Sequence, residues 1–336
     1  MYKRQALVQS LIFAGGIGLL VGGAWILISG GSRAAAVLRV PAVVVGLTVV
    51  AFGTSAPELF VSLAGALKGN TGLVLGNVIG SNVANLGLIL ALAAILRPVI
   101  VERGLSRQEV PLLLGATILL TIMIWDGTLG RVDAGILVVG FGVFMGWTLS
   151  NRDRGSLVAE IPVELPDVDP AHRLRELARG FGQVVLGIAG LVAGGHFIVN
   201  SALILAKSMG VSETLIGLTL VAVGTSLPEL ATTIIAALRN EDDLALGNIV
   251  GSNLFNILAV AGPVGLVRSL QEEAGGLPVT ALGLEMSPLQ VQVVSMMVLT
   301  LMVFTMIMLG RGRIGRKRGL ALLFTYGLIM FIWATH

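Results

Sequence analysis

Two glutamates lie where a carboxylate is costly. Glu58 and Glu229 each sit inside a long apolar stretch, within GTSAPEL and GTSLPEL. An ionisable group at membrane depth is by default a site residue, because desolvating its charge is unfavourable. Thr54 and Ser55 precede Glu58 by four and three residues, and Thr225 and Ser226 precede Glu229 in the same way. On a helix those spacings share a face, so hydroxyl oxygens are expected beside each carboxylate. Pro57 and Pro228 stand directly before the acids. Each removes a backbone donor and clashes with the preceding turn, so the helix should break near GTSxP. Such a break would free main-chain carbonyls around Ala51 and Ala222 as further oxygen ligands.

A second motif supplies amides. Asn77, Ser81 and Asn85 follow one another at four-residue steps, as do Asn248, Ser252 and Asn256. That spacing draws a polar stripe down one helical face. Gly76, Gly80, Gly247 and Gly251 lie beside the stripe and permit close helix approach. The combined ligand chemistry is hard and oxygen-rich: two carboxylates, hydroxyls, Asn carbonyls and main-chain carbonyls. It suits Ca²⁺, which accepts six to eight oxygens in flexible geometry. Na⁺ can use the same groups with a weaker charge demand. Mg²⁺ is disfavoured by its tight, near-octahedral shell. The chain has no cysteine and no paired histidines, which argues against zinc or copper. An anion carrier is equally unsuited, since the charges deep in the apolar stretches are acidic.

These residues must be carried by membrane helices. Of 336 residues, 55% are hydrophobic and only 12% charged. That is about half the charged share of a typical soluble domain. An ordinary soluble enzyme, a disordered chain and a nucleic-acid-binding module are all excluded. Ten apolar segments are predicted, at 7–29, 40–67, 70–96, 109–127, 132–149, 180–206, 211–238, 243–267, 285–309 and 319–335. They are long and continuous, with no two-residue alternation, so helices are expected rather than barrel strands. The first is too long for a signal peptide core and is expected to be a true span. Counting Lys and Arg, 16 of the 22 fall in the loops after spans 1, 3, 5, 7 and 9. By the positive-inside rule those loops face the cytoplasm and both chain ends lie outside. The polar connector 151–179 is then cytoplasmic.

An internal repeat organises the ten spans. Residues 46–85 and 217–256 align without a gap at an offset of 171, with 21 of 40 positions identical. Each half, 1–150 and 180–336, holds five spans. Because five is odd, the second half must enter the membrane from the opposite side. The predicted fold is an all-α polytopic membrane protein of ten helices in two inverted-topology repeats. That arrangement underlies alternating access in many secondary transporters.

The paired GTSxPE and GNxxGSN motifs resemble those of the cation/calcium exchanger superfamily, and more closely its bacterial calcium/sodium antiporters. The resemblance covers nearly the whole chain. It implies that spans 2, 3, 7 and 8 form an ion-binding core and that spans 1 and 6 slide against it. It implies Glu58 and Glu229 as carboxylates shared by Ca²⁺ and Na⁺. Side-chain ligands would be Thr54, Ser55, Ser81, Thr225, Ser226 and Ser252, with carbonyls from Ala51 and Ala222. Asn85 and Asn256 become polar partners. Some relatives carry Asp where this chain has Asn256, so potassium dependence is less expected here. The expected function is antiport of Na⁺ and Ca²⁺ that extrudes calcium, with no cofactor, no enzymatic activity, no nucleic acid and no obligate protein partner. The expected location is a prokaryotic inner or plasma membrane.

Other functions make different predictions. A proton/calcium exchanger, or one for another divalent cation, would move Ca²⁺ or its substitute without Na⁺. A passive channel would use the same oxygens but could not drive uphill uptake. A membrane scaffold would tolerate loss of both glutamates. Lesser candidates read as structural. His196 and Asn200 are expected to line or pack span 6. Asp126 and Asp133 flank a turn as solvated groups, and Glu213 begins a helix. Trp25, Trp125, Trp147 and Trp333 fit interface or packing positions. The methionines of span 9, Met296 among them, are expected to face lipid.

Overall fold

A computed structural model describes residues 2–38, 40–101, 105, 107–150, 170–208, 222–272, 279–281, 284–310 and 312–335. Helices dominate. They are α1 (Tyr2–Leu38), α2 (Ala42–Thr54), α3 (Ala56–Lys68), α4 (Thr71–Leu96), α5 (Glu109–Met123) and α6 (Arg131–Ser150). There follow α7 (Pro170–Ser208), α8 (Ala222–Thr225), α9 (Leu227–Leu238), α10 (Asp242–Val267), α11 (Pro288–Leu309) and α12 (Arg316–Thr335). Among the described residues seven helices are long and apolar enough to cross a membrane, and the bent pair α2–α3 makes an eighth. The shorter apolar helices α5 and α9 fall in the two remaining expected spans. The architecture is an all-α polytopic membrane fold. Gly217, Glu213 and the connector 151–169 lie outside the described residues.

The expected break is present. The helix interrupts at Ser55 and resumes at Ala56 with a bend of 44°. Ser226 separates α8 from α9 in nearly the same backbone conformation, φ −88° and ψ 5° against −85° and 4° at Ser55. The repeat extends to the ends of these helices. Gly69 (φ +84°) and Asn240 (φ +63°) occupy the left-handed region at positions 171 apart. Glycine and asparagine are the residues that tolerate that conformation most readily.

Two features were not apparent in the hydropathy pattern. The helical ladder widens to a π turn at Gly46–Val50, Asn85–Ile89 and Asn256–Val260. Short strands also join loops in antiparallel pairs. β1 (Val99–Ile100) pairs with β6 (Arg313–Ile314), and β2 (Thr128–Leu129) with β3 (Leu270–Gln271). Strands β4 (Val279–Ala281) and β5 (Leu284–Met286) form a third pair.

The chain condenses into two compact units, each built from both repeats. One comprises residues 1–55 and 152–248, the other 56–151 and 249–336. The core of the first gathers Leu20, Ala24, Leu27 and Ile28 of α1 against Val184, Leu191 and Ile198 of α7. Glycines make that contact possible. A Cβ at Gly23 would lie 2.7 Å from the Leu191 nitrogen, and one at Gly30 would lie 2.7 Å from the Gly180 carbonyl. A Cβ at Gly187 would lie 2.6 Å from the Leu27 nitrogen, and one at Gly194 would lie 2.6 Å from the Leu20 nitrogen. Gly16, Gly23 and Gly30 recur every seven residues, as do Gly180, Gly187 and Gly194. Seven residues are about two turns, so each set stays on one face. The backbones meet directly, a contact typical of small-residue membrane interfaces. Beyond this seam, Arg33 of α1 forms an ion pair with Glu176, which also bonds Arg179 at 2.7 Å.

In the second unit, α11 buries Val293, Met296, Leu299, Val303 and Ile307. Met296 is therefore a core residue, not the lipid-facing one expected, because it shares the helical face of those apolar neighbours. Gly319 of α12 packs on α4, where a Cβ would fall 2.8 Å from the Ala91 carbonyl.

The glycine seam yields a prediction. Gly187→Val should lower the thermal midpoint of the purified protein by roughly 5 °C, through overpacking against a backbone that cannot yield. Gly182→Val, where a Cβ meets nothing within 4 Å, should leave it unchanged. Equal midpoints for the two variants would contradict backbone-to-backbone packing at Gly187.

Candidate functional site

The predicted residues whose burial is described lie in buried polar clusters, one in each compact unit. Within the first unit, Thr54, Ser55, Thr225, Ser226, Glu229 and Asn248 are all withdrawn from the surface. The α2 helix ends at Thr54, and Pro228 sits in the first turn of α9. Ser55 Oγ donates to Glu229 Oε1 at 3.0 Å. A hydroxyl of one repeat therefore serves the carboxylate of the other. Spacing along one helix points Ser55 toward Glu58, whereas its hydroxyl, at the helix break, bonds Glu229.

Thr54 Oγ1 is also 3.0 Å from Asn248 Oδ1 and 3.3 Å from the Ala51 carbonyl. The Ala51 carbonyl additionally accepts from the Ser55 backbone N–H at 2.9 Å. It is thus engaged in the turn and not released by the break. Ala222 opens α8. Glu229 Oε2 and Ser226 Oγ are buried and have no hydrogen-bond partner among the described residues. Asn248 Nδ2 donates to Thr233 Oγ1 at 3.1 Å.

Within the second unit, Glu58 is 1% exposed. Asn77 of α4 reaches its main chain: Nδ2 donates to the Glu58 carbonyl at 3.1 Å and to Ser62 Oγ at 2.9 Å. Ser81, Asn85, Ser252 and Asn256 are buried in the same unit. Among the described residues, both polar atoms of Asn85 and both of Asn256 lack partners, as does Ser81 Oγ. Each of the two asparagines opens a π turn. Such turns concentrate at functional sites because they re-aim side chains. Buried polar atoms without partners are unfavourable unless something else satisfies them. A set of neutral oxygens and amides with a buried carboxylate can wrap a desolvated cation.

Sequence reasoning missed four residues. Ser62 and Thr233 lie one turn after each glutamate, 171 apart, and bond the amides of the second motif. Asn82 and Asn253 donate to the carbonyls four residues earlier, each at 2.7 Å, and their Oδ1 atoms have no partner among the described residues. The offset alone could have found all four. The lesser candidates that are described make local contacts. Asp126 and Asp133 accept backbone N–H groups of the 126–133 turn. His196 and Asn200 bond each other at 2.8 Å on an exposed face. Trp25 carries the Arg239 guanidinium 4.6 Å above its ring.

Comparison with known proteins meets this geometry. A family model described as sodium/calcium exchanger protein matches residues 8–150 and 179–334. The chain is 37% identical over 234 residues to inner membrane protein YrbG of Escherichia coli, covering 68% of this chain and 70% of that one. It is 31% identical over 294 residues to sodium/calcium exchanger MaX1 of Methanosarcina acetivorans, covering 78% and 84%. A solved structure of the sodium-calcium exchanger NCX_Mj, soaked with zero Na⁺ and Ca²⁺, superposes with a TM-score of 0.81. It is 28% identical and covers 98% of this chain and all of that one.

The Asn77 contacts generate a test of stability. Asn77→Leu removes two buried hydrogen bonds and leaves the Glu58 carbonyl without this donor. It should destabilise the protein by about 2 kcal/mol, read as a lowered thermal midpoint. An unchanged midpoint would show that these bonds contribute nothing.

Proposed function

The chain belongs to the sodium/calcium exchanger family, and from that premise we infer that it is a secondary-active antiporter exchanging Na⁺ for Ca²⁺ by alternating access. The observation that carries the reading is a carboxylate, Glu229, buried in a membrane helix bundle and bonded by the Ser55 hydroxyl of the opposite repeat. Glu58 is its counterpart at the equivalent repeat position. Thr54, Ser55, Ser81, Thr225, Ser226 and Ser252 supply hydroxyl ligands. Asn85 and Asn256 supply amide oxygens, and Ala51 and Ala222 supply carbonyls, Ala51 through a lone pair shared with its bond in the turn. Two glutamate charges balance one Ca²⁺, whereas Na⁺ ions need the same oxygens with less charge each. Crossing is permitted only when bound cations neutralise the acids, since an uncompensated carboxylate is costly at membrane depth.

Spans 1 and 6 correspond to α1 and α7, which the glycine seam joins along their length. They move as one body during alternation. The halves 1–150 and 180–336 act as inverted repeats around the 151–179 connector. The protein resides in a prokaryotic inner or plasma membrane, with the connector in the cytoplasm and both ends outside. The inward Na⁺ gradient then drives calcium out of the cell. No cofactor and no protein partner enters this cycle.

Glu58→Gln and Glu229→Gln keep side-chain size and remove the charge that balances Ca²⁺. Each should reduce Na⁺-dependent ⁴⁵Ca²⁺ uptake into proteoliposomes by about a hundredfold or more, on the scale of losing a buried charged ligand. Folding is checked by size-exclusion profile. Parental flux in either folded variant would refute the assigned role.

A further inference from the structure

We propose that Thr233 is a positioning residue for cation binding, acting through Asn248 to set the direction of the Thr54 hydroxyl. The proposal rests on the exchanger reading above. It begins with Asn77, whose amide orientation is settled by chemistry. Its Nδ2 faces the Glu58 main-chain carbonyl at 3.1 Å, and a carbonyl can only accept. The same Nδ2 therefore donates to Ser62 Oγ at 2.9 Å. Asn248 and Thr233 are the repeat equivalents of Asn77 and Ser62, at the common offset of 171. The equivalent orientation sends Asn248 Nδ2 to Thr233 Oγ1 at 3.1 Å and turns Oδ1 toward Thr54 Oγ1 at 3.0 Å. All three side chains are buried, with Thr54, Thr233 and Asn248 each 0% exposed.

The consequence concerns one proton. A threonine hydroxyl has a single hydrogen and two acceptor lone pairs. Thr54 donates it to Asn248 Oδ1 at 3.0 Å, with the Ala51 carbonyl farther off at 3.3 Å. With the hydrogen held there, the Thr54 oxygen offers only lone pairs to an arriving cation. Thr233 holds the amide so that oxygen, not nitrogen, receives the hydrogen. Without the Thr233 hydroxyl the amide can flip, Nδ2 then donates to Thr54, and one of the lone pairs meant for the ion is taken while the hydroxyl hydrogen turns elsewhere. Ser62 holds the Asn77 amide in the same sense within the other unit.

The test uses the full-length protein in Na⁺-loaded proteoliposomes and reads both the Ca²⁺ half-saturation and the maximal rate. Thr233→Val removes the hydroxyl at constant volume. It should raise the Ca²⁺ half-saturation by about tenfold, the scale of one buried hydrogen bond, with the maximal rate changed less than about twofold. Thr233→Ser restores the acceptor and should return half-saturation to within about twofold of the parent. In a Thr54→Val background, Thr233→Val should add less than about twofold, because the group it directs is gone. An unchanged half-saturation would overturn the proposal. So would a Thr233→Ser variant as impaired as Thr233→Val, or effects of the two threonines that multiply. If Thr233→Val is not recovered folded, Thr233→Ala against Thr233→Ser carries the same comparison. Failure of the exchanger reading shows separately, as a parent protein with no Na⁺-dependent Ca²⁺ uptake, and the proposal falls with it.

Discussion

A carboxylate inside a bilayer must have its charge met, and the rest of this molecule follows from that constraint. Water cannot solvate it, and burial of a bare charge is strongly unfavourable. Glu229 is answered by a hydroxyl from the other repeat, Ser55 at 3.0 Å. A hydroxyl can donate to a carboxylate or turn its lone pairs toward a cation. Helix breaks at Ser55 and Ser226 set these groups at helix ends. A continuous helix would have tied up the same backbone and spread the same side chains along one face.

Duplication enters the fold in an interleaved way. Each compact unit takes segments from both repeats, and the chain leaves the first unit at Ser55, at the helix break itself. The first unit holds Thr54, Ser55, Glu229 and Asn248, and the second holds Glu58, Asn77, Ser81 and Asn85. The glycine seam within the first unit gives α1 and α7 a shared backbone contact. Short strands in the second unit tie loops at equivalent repeat positions, since Val99 and Leu270 are also 171 apart.

Much of this was legible in the sequence. Hydropathy located the spans, and the break at GTSxP follows from proline lacking a donor. The buried acids stood out because bilayer energetics make them rare. What escaped was whatever depends on geometry across elements. The pairing of Ser55 with Glu229 could not be read from i,i+3 spacing, since the break reorients the chain between them. The π turns at Asn85 and Asn256 leave no compositional mark. Ser62 and Thr233 look like ordinary small polar residues until their amide partners are placed beside them. Met296 looks like its lipid-facing neighbours, and only the packing of α11 distinguishes it. The seven-residue glycine spacing was present in the sequence, but its partner helix lies about 160 residues away.

The central claim is that Na⁺ and Ca²⁺ movements are coupled through one pair of buried acids. Its most direct test is Ca²⁺ uptake into sealed proteoliposomes loaded with Na⁺, compared with uptake at equal Na⁺ on both sides. The membrane potential is clamped and the proton gradient collapsed. The account predicts accumulation of Ca²⁺ against its own gradient only when Na⁺ is loaded inside. Uptake that is indifferent to Na⁺, or that only runs downhill, would contradict it.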